Sequence, residues 1–153
     1  SMPEQSEPPD LDAVFRDFRE EVLRDAELSE SERQFKLGLT YRDMGMVDDA
    51  IRQLEWAARS PRLRFDASAL VARLQRDRGN LAAAIEWFER AAEAPAPSPE
   101  AGRELLYDLA ATLEAAGEGR RALAVYLELQ TDAAGYRDVS ERVARLRRED
   151  AGS

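Results

Sequence analysis

Hydrophobic residues return along this chain at the three- and four-residue spacing of amphipathic helices. Asp10 opens the first such pattern, in which Leu11, Val14, Phe15, Phe18 and Val22 share one stripe that runs out near Ala26. Ser29 followed by Glu32 has the form of a capping box, so a break and a fresh helix are predicted there. Three segments of one build follow: QFKLGLTYRDMGMVDDAIRQLEWAA, SALVARLQRDRGNLAAAIEWFERAA and LLYDLAATLEAAGEGRRALAVYLEL. Each holds an apolar helix, a glycine, and a second helix with a small residue five places after that glycine. The glycines are Gly45, Gly79 and Gly117; the small residues are Ala50, Ala84 and Ala122. A last stripe, Val139, Val143 and Leu146, lies within Arg137 to Arg148, with Glu141, Arg142, Arg145 and Arg147 off it. Eight helices are expected: one N-terminal, six in pairs and one terminal cap.

The repeat interval is 34 residues between the first two glycines and 38 between the next two. The longer interval contains Pro95, Pro97 and Pro99, which stop one helix and start another. A single helix pair cannot bury such a surface, so neighbouring pairs must stack into a solenoid. Small residues let helices approach closely, and Leu54, Phe88 and Tyr126 fill the space beside them.

These residues resemble tetratricopeptide repeats. The first copy does so most fully, with Leu37, Gly38, Tyr41, Gly45, Ala50, Leu54, Ala57 and Pro61 at the signature positions. The second keeps Ala72, Gly79, Ala84, Phe88 and Ala91, with Gln75 in the aromatic's place; the third keeps Leu109, Ala110, Gly117, Ala122 and Tyr126. The large Trp of the signature is replaced by Gln34, Ser68 and Leu106. The resemblance covers about residues 31–134. It implies an all-α, right-handed alpha-alpha superhelix of three helix pairs with an N-terminal helix and a C-terminal capping helix. The expected divisions are a disordered tail over 1–9, an N-terminal helix over 10–28, repeats over 31–64, 65–98 and 99–136, and the cap over 137–149.

Composition narrows the chemistry. The chain has 153 residues, a net charge of −9, and neither Cys nor His. Disulfides, thiolate nucleophiles, imidazole bases and zinc sites built on Cys or His are therefore ruled out. The acidic balance argues against nucleic acid as a partner. No apolar run approaches the roughly 20 residues of a spanning helix, and no leader pattern opens the chain, so a cytoplasmic protein without membrane insertion is expected. Asp48 and Asp49 lack the spacing of a calcium loop and suit the first turn of a helix instead. No metal site, cofactor or catalytic activity is expected.

The family resemblance implies that partners bind in the hollow of the solenoid. The hollow-facing positions are Phe35, Leu39 and Arg42, then Ala69, Arg73 and Arg76, then Tyr107, Ala111 and Glu114. Phe35, Leu39 and Tyr107 would offer apolar contact, while Lys36, Arg42, Arg73 and Arg76 would recognise an acidic protein segment. The alternative for these residues is internal packing for Phe35 and Leu39 and solvation for the arginines. Asp43, Asp77, Asp108 and Glu114 on the same side make the charge mixed. Trp56, two places after Leu54, is expected at a partly buried edge or as part of a second contact surface. The resulting expectation is an adaptor or scaffold, with bacterial envelope or motility assemblies as the setting suggested by analogy. The competing expectation is a self-assembling element whose hollow is filled by its own N-terminal segment.

Overall fold

In a computed structural model, residues 7–152 are described, and the structured part of them is helical throughout. Ser1 to Ser6 of the expected tail, and Ser153, lie outside the described residues. The helices are α1 (Leu11–Asp43), α2 (Val47–Ala57), α3 (Arg64–Asp77), α4 (Leu81–Glu93), α5 (Pro99–Ala115), α6 (Gly119–Asp132) and α7 (Val139–Ala151). α1 packs with α2, α3 with α4 and α5 with α6; α2 meets α3, α4 meets α5, and α7 closes the row on α6. The architecture is an all-α repeat superhelix.

There are seven helices among the described residues, one fewer than expected. The break predicted at Ser29 does not occur, and α1 is a single helix of 33 residues that joins the N-terminal helix to the first helix of the first pair. No Gly or Pro interrupts residues 10–37. Within that stretch, Glu30 pairs with Arg33 and accepts a bond from the Gln34 side chain, contacts that favour continued helix over a cap at Ser29. The working cap is Asp10, whose carboxylate accepts from the Asp12 and Ala13 amides at 3.1 and 3.3 Å. Ser98 caps α5 in the same way ahead of Pro99, accepting from the Ala101 amide.

Each pair turns on a glycine in the left-handed region, at φ of 77° for Gly45, 84° for Gly79 and 80° for Gly117. The glycine amide bonds three residues back and the next amide five back, as in Gly45 to Arg42 and Met46 to Tyr41. This double bond pattern satisfies the last carbonyls of the helix and sets the hairpin angle. The close approach within the first pair has its own glycine. A Cβ on Gly38 would lie 2.8 Å from Leu54 Cγ. Ala72 and Ala110 stand in the matching place of the later pairs, fully buried.

Leu54, Phe88 and Tyr126 are wholly buried, as are Ala50, Ala84 and Ala122. One continuous cluster runs from Phe65 through Phe88, Leu113 and Tyr126 to Val139, Val143 and Leu146, so α7 shares the core of the last pair. The N-terminal half of α1 has no such cover. Leu11, Val14, Phe15, Phe18, Val22 and Leu23 are 49–63% exposed.

Candidate partner-binding face

The first helix of each pair, together with α7, presents one row of side chains along the molecule. Ion pairs across neighbouring helices mark this row. Arg73 on α3 donates from Nε to Asp108 on α5 at 3.2 Å, and Arg76 Nη1 lies 3.4 Å from the other oxygen of the same carboxylate. Glu104 adds a longer contact to Arg73 at 3.9 Å. On the far side of α5 the signs reverse: Glu114 receives Arg142 at 3.2 Å and also Arg145, both from α7. The bands therefore run cationic on α3, anionic on α5 and cationic on α7.

The α7 end is the most constrained part of the face. Arg142 also bonds Asp138 at 2.9 Å and the Tyr126 hydroxyl at 3.0 Å. Tyr107 donates its hydroxyl to Asp138 at 2.6 Å, and its ring meets Tyr126 and Tyr136 edge-on. The bonds from Tyr107 and Arg142 hold the Asp138 carboxyl below the usual carboxylate range. Burial, followed by the nearby Glu114 carboxylate, pushes the Tyr126 hydroxyl well up. Arg137, with φ of 41° in the left-handed region, lays its guanidinium 4.7 Å over Tyr107 and 5.3 Å over Tyr136.

At the α1 end the arrangement is different. Arg42 bonds its own neighbour Asp43 at 3.1 Å, and Lys36 is exposed. Among the described residues no ion pair joins α1 to α3 on this face. Arg42 and Arg76 occupy equivalent places one repeat apart, so two cationic rows stand side by side here, where α3 and α5 carry opposite signs.

The predicted residues thus separate into groups. Phe35 is half-buried and packs on the cluster of Ile51, Leu54 and Val71 and on that of Ala57 and Ala67, so it serves the junction of the first two pairs. Arg73, Arg76 and Tyr107 are built into contacts with α5 and α7. Lys36, Leu39 and Arg42 are the members whose described contacts leave them most available, Leu39 being half-buried. Trp56 is 50% exposed with Arg59 stacked 4.5 Å over its ring, and it lines a shallow groove with Arg24, Leu28 and Pro61. Trp87 is half-buried against the core.

Sequence reasoning passed over Asp138 and Arg142, which organise the α7 end. A partial signal for Arg142 was the reversal of charge at one matching place, Arg76 in the second pair and Glu114 in the third, which leaves Glu114 in need of a cation from the next helix. The expectation that the N-terminal segment fills the chain's own hollow is corrected by the exposure of Leu11, Phe15 and Phe18, which neither enter the face nor cap the pair. Their stripe belongs to a rigid continuation of α1 and cannot fold back without breaking that helix.

Among the described residues no helix is long and apolar enough to cross a membrane, and no group of three potential ligands is placed to hold a metal ion. Comparison with curated proteins finds no match. The solved structure of MamA is similar over 93% of this chain and 80% of its own, at 20% identity and a TM-score of 0.62. The Yersinia enterocolitica type III secretion chaperone SycD, solved in complex with a peptide of the translocator YopD, is similar over 78% of this chain and 93% of its own, at 14% identity and a TM-score of 0.61. Residues 35–99 match the family model described as tetratricopeptide repeat. Residues 35–99 are thus a tetratricopeptide-repeat segment, and the third glycine-hinged helix pair continues the same fold beyond it.

Proposed function

We propose that this chain is a non-catalytic binding module that holds an acidic segment of a partner protein along the face formed by α1, α3, α5 and α7. The observation that supports it most is the α1–α3 end, where among the described residues no ion pair joins the two helices. Lys36, Arg42, Arg73 and Arg76 stand there on a molecule of net charge −9, with the half-buried Leu39 among them. A segment with acidic side chains beside apolar residues complements that patch. Arg73 and Arg76 are pre-positioned for it, because Asp108 fixes both guanidinium groups in place before any ligand arrives. The peptide complex of SycD, a neighbour in fold, supports segment binding as the mode.

The test is fluorescence anisotropy with a pool of short labelled peptides that carry Asp or Glu beside two large apolar residues. Reversal of Arg73 and Arg76 would set two new carboxylates against Asp108 and disturb the fold itself. The variant of choice is therefore Lys36→Glu with Arg42→Glu, which leaves the inter-helix pairs intact. Peptides that bind the natural chain should lose affinity by at least about tenfold, a difference of about 1.4 kcal/mol, with an unchanged helical signal. Binding should also weaken with added salt, since exposed charges are screened. Undiminished binding to the variant, or indifference to salt, overturns this reading of the face.

A further inference from the structure

The exposed stripe on α1 lies on the wrong side of its helix for the body of the molecule. At about 100° per residue, Leu11, Phe15, Phe18 and Val22 cluster about half a turn away from Ser31, Gly38 and Arg42, residues on the side of α1 turned toward the body. One continuous helix therefore carries two opposed contact faces, the C-terminal one satisfied within the chain and the N-terminal one turned outward.

The spacing of the outward face is that of a coiled coil. Leu11, Phe15, Phe18 and Val22 succeed one another by four, three and four residues, the d, a, d, a positions of successive heptads. The seam ends at Asp25 and Ser29, the next d and a residues, so the repeat is short and bounded. Beside the seam, Asp12 and Arg19 each follow a d residue and so hold the e positions.

We infer that two copies of this chain pair antiparallel through residues 11–22 of α1. In an antiparallel pair centred between Phe15 and Phe18, each a residue meets a d residue: Phe15 meets Phe18 of the second copy, and Leu11 meets its Val22. The e positions then face each other, which sets Asp12 opposite Arg19 of the second copy, twice by symmetry. A parallel pair forgoes both of these ion pairs, because Arg19 would come opposite Val14. Covering the four seam side chains of each copy, with the stems beside them, makes a small interface at the low end of the stable class. Dimerisation is accordingly weak and depends on protein concentration. The two repeat bodies stand at opposite ends of the pair, and their binding faces stay open.

Sedimentation velocity over protein concentrations from low to hundreds of micromolar tests this directly. The natural chain should shift from monomer to dimer with concentration, whereas Phe15→Glu with Phe18→Glu should remain monomeric at every concentration and stay helical. Asp12→Arg alone and Arg19→Asp alone should each weaken the dimer several-fold, and the two together should restore it. A natural chain that stays monomeric throughout, or a dimer that survives the double glutamate change, overturns the pairing. A dimer lost in the glutamate variant but indifferent to the charge swaps overturns the antiparallel register. Peptide binding at the Lys36 and Arg42 patch is unaffected by all of these variants, so this result and that of the face are read independently.

Discussion

The first half of α1 and the whole of α7 carry apolar stripes of similar kind, Leu11, Phe15, Phe18 and Val22 in one, Val139, Val143 and Leu146 in the other. In α7 all three are buried to 4% exposure or less. In α1 every member stands about half exposed or more. α7 is separated from α6 by the short turn at Ala133 to Asp138, which lets it fold back onto the core. α1 has no such turn, and its continuity carries the stripe away from the body. The comparison shows that periodicity predicts a helix with a face to cover, while the connection decides whether the same chain can cover it.

The largest expected effect breaks the covered end. Leu146→Ala removes a buried side chain from the cluster that joins α7 to the last pair, and should lower unfolding stability by about 2–3 kcal/mol. Urea titration with helical signal as readout checks it. A loss below about 0.5 kcal/mol would mean that α7 is not part of the cooperative core.

The next effect tests the half of α1 that is packed. Gly38→Ala forces a Cβ against Leu54 Cγ and should cost about 1–2 kcal/mol, although alanine is the better helix former by about 1 kcal/mol. The same urea titration decides it. A stabilised variant would show that the close approach in the first pair relaxes freely.

The smallest effect sharpens the comparison. At concentrations low enough to keep the protein monomeric, Phe18→Ala should change stability by no more than about 0.5 kcal/mol, since its side chain touches little. The same change should abolish any stability gain seen on raising the concentration, because association stabilises the folded state by mass action. Thermal melts at two concentrations measure both. A loss of about 3 kcal/mol in the dilute monomer would place Phe18 in a packed core and remove the contrast between the two ends.

Several features were legible before any coordinates. Gly45, Gly79 and Gly117 announced the hairpins, because a helix ending in the left-handed region favours a residue without Cβ. Ala50, Ala84 and Ala122, each five residues later, announced the close packing, and Leu54, Phe88 and Tyr126 its filling. These are local rules, and local rules survive in the chain as spacing. The helix break at Ser29 was misread for a related reason. A capping box is one favourable contact, and here it competes with an uninterrupted run of helix-compatible residues that needs no cap.

What the candidate face would become was not local. Asp108 was placed on the same side as Arg73 and Arg76, but which acid meets which arginine could not be read, because Asp108 lies a full repeat away. Phe35 read as an anchor because its neighbours Ile51, Leu54 and Val71 come from two other helices. Only stacking brings these groups within bonding distance, and stacking also turns Arg142, one polar residue on a terminal helix, into the tie between Glu114, Asp138 and Tyr126. The sequence by itself determined the repeat, its period and its buried small and large positions, since these follow from backbone sterics and helical spacing. The tertiary structure decided which charges neutralise each other and which apolar face is left uncovered, because both depend on distances between segments that no spacing along the chain encodes.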